Sequence, residues 1–181
     1  MSQVTILLVS GSTWADSPHS RVLHRLHRMV WPGARTDLYD GMLDLPPFVP
    51  GAEREPVAAR DLLDRIDGSQ AVLFSTPEYA GGLPGALKNL LDWTMGGTLE
   101  HKPVAWLDVG DTGLGSAAHG QLRTVLVNVG ARVFEPTPLP PVPSGVVRGS
   151  TQRFTDDRLA AVIADVVAAI REERHDRHPW I

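Results

Sequence analysis

Cysteine is absent from the chain, and that absence removes more chemistry than any other single feature. Disulfides, thiolate nucleophiles and cysteine-held zinc or iron–sulfur centres are excluded, so any redox activity must rest on a bound cofactor. No apolar run approaches the roughly 20 residues needed to cross a bilayer. The stretch Met1 to Ser20 lacks the basic segment, apolar core and small-residue cleavage site of a secretory leader. Both absences lead to the expectation of a cytoplasmic protein. Basic clusters are also missing: the formal net charge is -4 and the arginines are scattered, unlike a nucleic-acid surface. Only Arg171 to Arg177 is dense in charge, and its mixed signs read as a solvated helix end. There is no Walker-type phosphate loop and no Gly-x-Ser-x-Gly nucleophile elbow.

What is present is a regular alternation of strand and helix. With 43% apolar and 21% charged residues in 181, the chain has the composition of one globular domain. Thr5 to Val9 is short, apolar and rich in β-branched residues, as a buried parallel strand is. Val22, Leu23, Leu26, Met29 and Val30 then recur at helical spacing, started by Ser17 and Pro18. Arg35 to Tyr39 reads as a second strand. Leu45 to Gly51 holds three prolines and must be a loop, since proline has no amide to donate. Ala59, Leu62, Leu63 and Ile66 mark the next helix, ended by Gly68. Ala71 to Phe74 is a third strand, and Pro84 opens a helix carrying Leu87, Leu90, Leu91 and Thr94. Val104 to Val109 is a fourth strand; Leu122, Val125, Leu126 and Val129 a helix stopped by Gly130; Arg132 to Glu135 a fifth strand. A second proline-rich connection follows, and Thr155 caps a last helix with Asp156 and Asp157 in its first turn. This pattern predicts an α/β three-layer sandwich, a five-stranded parallel sheet in order 2-1-3-4-5 with helices on both faces.

In such a sheet ligands sit beyond the carboxyl ends of the strands, where the order switches, here between strands one and three. Three turns at that rim are unusual. Ser10 to Ser20 offers small residues, several hydroxyls and a helix N-terminus, a favourable seat for a phosphate. It has no lysine or arginine before Arg21, so neutralisation rests on amides and hydroxyls. Ser75 to Trp93 runs through Pro77, Glu78, Tyr79, Ala80, Gly81 and Gly82 into Pro84, exposing backbone amides on a stiffened loop suited to a flat heteroaromatic ring. Gly110 to Gly115 is again glycine-rich. His24 and His27 fall on the polar side of the first helix and read as surface residues. Gly113 to Ala118 fits the dinucleotide fingerprint with Glu135 as a ribose partner, but too little chain follows for that fold.

These residues carry a resemblance. The chain is similar to the NAD(P)H-dependent FMN reductase family, which includes quinone, azo-dye and chromate reductases of flavodoxin-like fold. That family's first turn has Gly-Ser-x-Arg-x-x-Ser-x-Asn, matched here by Gly11, Ser12 and Ser17. Its second has Pro-Glu-Tyr-Asn, then Pro-Gly-x-Leu-Lys-Asn and an Asp. The matches are Pro77, Glu78, Tyr79, Pro84, Gly85, Leu87, Lys88, Asn89 and Asp92. The likeness extends to about Pro143. It implies a flavodoxin-like FMN-binding domain over 1–172, a flexible tail over 173–181, and a homodimer or homotetramer with the site near the subunit boundary. Ser12, Ser17 and their neighbours, including Ser20, would hold the FMN phosphate. Pro77, Glu78, Tyr79, Ala80 and Gly81 would line the isoalloxazine, and Gly110, Asp111 and Thr112 its other edge. Three positions depart: Trp14 replaces the phosphate-facing arginine, His19 an asparagine, and Ala80 the asparagine after the tyrosine. Losing a cation at the phosphate costs about 1–3 kcal/mol.

The implied activity moves electrons from NADPH or NADH through FMN to a flavin, quinone or similar acceptor. No side-chain acid or base is called for, so no catalytic residue and no metal is named, and one shared site predicts ping-pong kinetics. Two other readings stay open: an FMN electron carrier without its own NAD(P)H turnover, and an FMN-free regulatory or scaffold protein on the same fold.

Overall fold

The computed structural model describes residues 3–51, 54–109, 116–134 and 155–176. Val4–Ser10 forms β1, whose alternating side chains feed two separate cores. Val4, Ile6 and Leu8 point to one side, Leu7 and Val9 to the other, so neither face of the strand meets water. The same division runs through β3 (Ala71–Ser75), with Ala71 and Leu73 on one side and Val72 and Phe74 on the other. Together with β2 (Ala34–Tyr39), β4 (Pro103–Trp106) and β5 (Arg132–Val133), these strands form one parallel sheet in the order β2-β1-β3-β4-β5. The predicted order is the one present.

The first core is closed by α1 (Pro18–Arg28) and α5 (Asp156–Asp176), the second by α2 (Val57–Asp67), α3 (Gly85–Trp93) and α4 (Ser116–Asn128). Leu23 and Leu26 of α1 pack with Val162 and Val166 of α5; Leu62, Leu87, Leu91 and Leu126 fill the opposite side. Residues 177–181 lie outside those described, while α5 itself continues to Asp176. Among the described residues no helix is long and apolar enough to cross a membrane.

Three boundaries differ from the sequence reading, each for a local reason. The first helix stops at Arg28 instead of carrying Val30, which is 94% exposed. Pro32 disfavours helical backbone at Trp31; the chain turns there, and Trp31 is buried with its indole N–H donating to the Leu26 carbonyl at 3.1 Å. The fourth strand ends at Trp106, not Val109: Trp106 lies opposite Phe74, Leu107 N–H still bonds Phe74 O at 2.8 Å, and β3 itself ends one residue later at Ser75. The fifth is two residues long, and Glu135 lies outside the described residues.

The proline-rich loop after β2 does not float over the rim. Asn89 of α3 accepts from Phe48 N–H at 2.8 Å and donates to Pro46 O at 3.0 Å, while Trp93 donates to the same carbonyl. Phe48 sits edge-on to Trp93 with ring centroids 5.1 Å apart. Asn89 and Trp93 thus anchor a loop, and Lys88 pairs with Asp92 one turn further on.

Candidate functional site

The turn after β1 is organised by its own hydroxyls. Ser17 caps α1, accepting from Ser20 N–H at 3.1 Å, and Pro18 occupies the first helical position. Ser12 Oγ accepts from Trp14 N–H at 3.2 Å. The Trp14 carbonyl in turn accepts from Ser20 Oγ and from Ser17 N–H, both at 3.1 Å. Ser12, Ser17 and Ser20 are all buried, so their hydroxyls hold the turn's shape. The amides of Thr13, Ala15 and Asp16 donate to no acceptor among the described residues. Within the first turn of α1, Pro18 has no amide and those of Ser20 and Arg21 donate to Ser17; with the amide of His19, those of Thr13, Ala15 and Asp16 are the groups left for an anion. A cleft of about 160 Å³ opens beside them on the β2 side, lined by Ser12, Thr13, Ala15, Ser20 and Asp40 among others.

The turn after β3 is a tight reversal. Tyr79 and Gly82 exchange both backbone hydrogen bonds at 3.0 Å. Ala80 has φ +51° and Gly81 φ +75°, the sign combination of a type I′ turn, for which Asn-Gly is the favoured pair. Alanine in the left-handed region costs about 1–2 kcal/mol. Replacing Ala80 with Asn is therefore expected to stabilise the protein by about 1 kcal/mol, read as a raised urea midpoint at unchanged m.

Helix α4 clamps this reversal from the side. Glu78 accepts from the amides of Ala117 at 3.1 Å and Ala118 at 3.3 Å, capping the helix with a negative charge. Gln121 accepts from Leu83 N–H at 2.9 Å. Glu78 therefore positions the turn through α4 instead of pointing away from it. Removing the carboxylate in Glu78→Ala is expected to cost about 1–2 kcal/mol, with Gln recovering part of it in equilibrium unfolding.

The two turns are fastened to each other where β1 and β3 end. Gly11 N–H donates to Ser75 O at 2.8 Å. A Cβ on Gly11 would lie 2.3 Å from Thr76 Oγ1 and 2.6 Å from Thr76 Cβ. The expected crevice between strands one and three is thus closed at its floor. His19, in the first turn of α1, reaches the same place: its Nδ1 lies 3.0 Å from Ser75 Oγ. Burial, then the neighbouring His119, pushes the His19 imidazole down to about 4. His119 of α4 stacks on Trp106 with centroids 5.8 Å apart. Burial lowers it too, against the opposing pull of Asp108 and Glu78.

The sequence profile of the family described as NADPH-dependent FMN reductase matches residues 4–139. The chain belongs to this family. A NADPH azoreductase of Bacillus sp. (strain OY1-2) is 34% identical over 99 residues, 51% of this chain and 56% of the relative. The chain thus spans little more than half the length of that relative. A quinone reductase of Pseudomonas putida is 30% identical over 162 residues, 86% of this chain and 84% of the relative. Among solved structures, the flavoenzyme FerB from Paracoccus denitrificans, an NAD(P)H:(acceptor) oxidoreductase, superposes with a TM-score of 0.74 at 24% identity, covering 94% of this chain and 98% of that one. Likeness at that identity carries the fold, and the flavodoxin-like architecture expected from sequence is the one this family member has.

Of the residues singled out in the sequence, Ser12, Trp14, Ser17, His19 and Ser20 gather in one turn and Pro77, Glu78, Tyr79, Ala80 and Gly81 in its neighbour. Trp14 and Tyr79 are the exposed aromatics among them, at 62% and 50%. Gly110, Asp111 and Thr112 lie outside the described residues. His24 and His27 are exposed, as expected, and the described residues hold no cluster suited to a metal. The sequence reading missed Ser75, His119 and Gln121. Hydroxyls at Ser75 and Thr76 closing an apolar strand were a usable signal; nothing local to His119 or Gln121 was.

Proposed function

We propose that this chain is an FMN-dependent oxidoreductase that takes electrons from NADPH or NADH and passes them to a flavin, quinone or similar small acceptor. The observation that carries this is the joined pair of turns: one offers unfilled amides just ahead of a helix N-terminus, and the other, 2.8 Å away through Gly11 and Ser75, offers a stiff backbone reversal. The donor set fits a phosphorylated flavin. The amides of Thr13, Ala15 and Asp16 would hold the phosphate, while the hydroxyls of Ser12, Ser17 and Ser20 keep those amides in place. The cleft of about 160 Å³ is large enough for a phosphate and part of a ribityl chain, yet short of the roughly 300 Å³ at which pockets for larger ligands begin. The ring therefore belongs over the 77–81 reversal, whose amides would face it. When bound, FMN supplies the hydride acceptance that no side chain here provides. The serine-rich and tyrosine turns bind and orient; none moves a proton in this reading.

Titrating the purified protein with FMN, then assaying NADPH and NADH oxidation against quinones, azo dyes and free flavin, tests the reading. Saturable flavin binding with turnover is the expected result. Binding without nicotinamide oxidation would make the protein a carrier, and no binding would leave a scaffold. Tyr79→Ala with Gly81→Val is expected to abolish flavin affinity, because valine at φ +75° breaks the reversal. Normal affinity in that variant would contradict the placement of the ring.

A further inference from the structure

Asp40 follows β2 directly and stands at the head of the short 3₁₀ turn Gly41–Asp44. At that position an aspartate ordinarily caps, its carboxylate accepting from the free amides behind it. Asp40 makes no such bond. It is exposed, and its side chain takes part in no hydrogen bond or ion pair among the described residues. What Asp40 does line is the cleft of about 160 Å³, together with Thr13 and Ala15 from the turn after β1 and Ser20 and His24 from α1. No lysine or arginine shares that lining. An ionised carboxylate only accepts hydrogen bonds. It therefore calls for donors from whatever fills the cleft, and it repels a second anion set against it.

FMN has three parts, and only one suits this wall. The phosphate presents acceptors and belongs on the amides of Thr13 and Ala15, which line the same cleft from the turn after β1. The ring belongs over the 77–81 reversal after β3, and β1 separates β3 from β2 in the sheet. Between ring and phosphate runs the ribityl chain, the part that presents hydroxyl donors along its length. We infer that the Asp40 carboxylate accepts hydrogen bonds from the ribityl hydroxyls of FMN, which makes the β2 wall of the cleft a sugar-hydroxyl subsite and Asp40 a binding residue. This rests on the FMN-binding reading above. The two walls then orient the ligand by their opposite chemistry. Amide donors take the phosphate on one side, and the carboxylate takes the hydroxyls on the other, because the reverse placement would set two anions together.

The test is a cycle of protein and ligand changes on the full chain, read as Kd by flavin fluorescence. The ligands are FMN, riboflavin, and a flavin whose terminal phosphate is carried on a plain alkyl chain without hydroxyls. Wild type is expected to bind FMN about tenfold or more tightly than the alkyl analogue, the range of a hydrogen bond to a charged group. Asp40→Ala should lose a similar factor toward FMN and riboflavin alike, and nothing toward the analogue. Asp40→Asn, which keeps one acceptor oxygen, should fall between. Because Asp40 is exposed and caps nothing, the urea midpoint of the alanine variant should stay near wild type. Should that variant not fold, Asp40→Asn carries the cycle and must weaken FMN without weakening the analogue. Equal wild-type affinity for FMN and the analogue overturns the inference, as does equal weakening of both in Asp40→Ala. So does FMN binding that tightens in Asp40→Ala, or changes while riboflavin binding does not, for the carboxylate then acts only on the phosphate. Each of these leaves the flavin reading standing. No binding of FMN or riboflavin by wild type overturns both.

Discussion

Gly11→Ala is expected to destabilise the protein by about 3 kcal/mol and to remove flavin binding with it. The cause is a collision rather than backbone strain, since the added Cβ would sit 2.3 Å from Thr76 Oγ1, 2.6 Å from Thr76 Cβ and 2.8 Å from a methyl of Leu87. A hydroxyl can rotate, but Thr76 Cβ moves only with its backbone, and Thr76 and Leu87 are both buried. Relief requires the two turns to part, which would stretch the 2.8 Å bond from Gly11 N–H to Ser75 O. Gly82 makes an instructive contrast: its added Cβ would meet Gln121 Oε1 at 2.7 Å, the far end of an exposed and flexible side chain. Gly82→Ala should therefore cost clearly less than Gly11→Ala in urea unfolding. Equal losses would show that the turns are not pressed together as described.

Acidification should weaken the unliganded protein through His19. With its imidazole at about 4 in the fold against an ordinary 6.5, the unfolded chain binds a proton that the folded chain refuses throughout that window. Stability contributed by the neutral ring is thus complete above about pH 6.5 and is lost as pH falls toward 4, by about 3 kcal/mol. The lowered His119 adds in the same direction. Groups distant from His19 titrate alike in wild type and His19→Asn, and the variant removes His19 together with its action on His119, so the informative quantity is the difference between their pH 7 to pH 4 losses. Asparagine offers both a donor and an acceptor toward Ser75 and has no proton to gain. Its loss should be smaller by about that amount, measured by urea unfolding at both pH values, and parallel losses would refute the assignment.

The two halves of the site differed in how far they could be read in advance. Ser17 and Pro18 announce a capped helix through strictly local chemistry, and the cap is present. Tyr79 to Gly82 likewise form a turn, although alanine at the first central position hid its type: Asn-Gly would have named it, and Ala80 is instead held at φ +51°. The motif residues Lys88, Asn89 and Asp92 carried the family resemblance without a role read for them in the sequence. They serve to hold the proline loop and the helix surface, a role that needs Pro46 and Phe48 to be brought next to α3.

The order of elements and the parallel sheet follow from residue pattern alone, because strand and helix periodicities and proline or glycine stops act over a few neighbouring residues. Packing of the two helical layers onto the sheet decided the rest. Only that packing sets Gly11 against Thr76, places Glu78 on amides 39 and 40 residues further along, and brings His19 from one layer to His119 from the other. Such meetings depend on the thickness and register of the sheet between the layers, and no local run of residues records either.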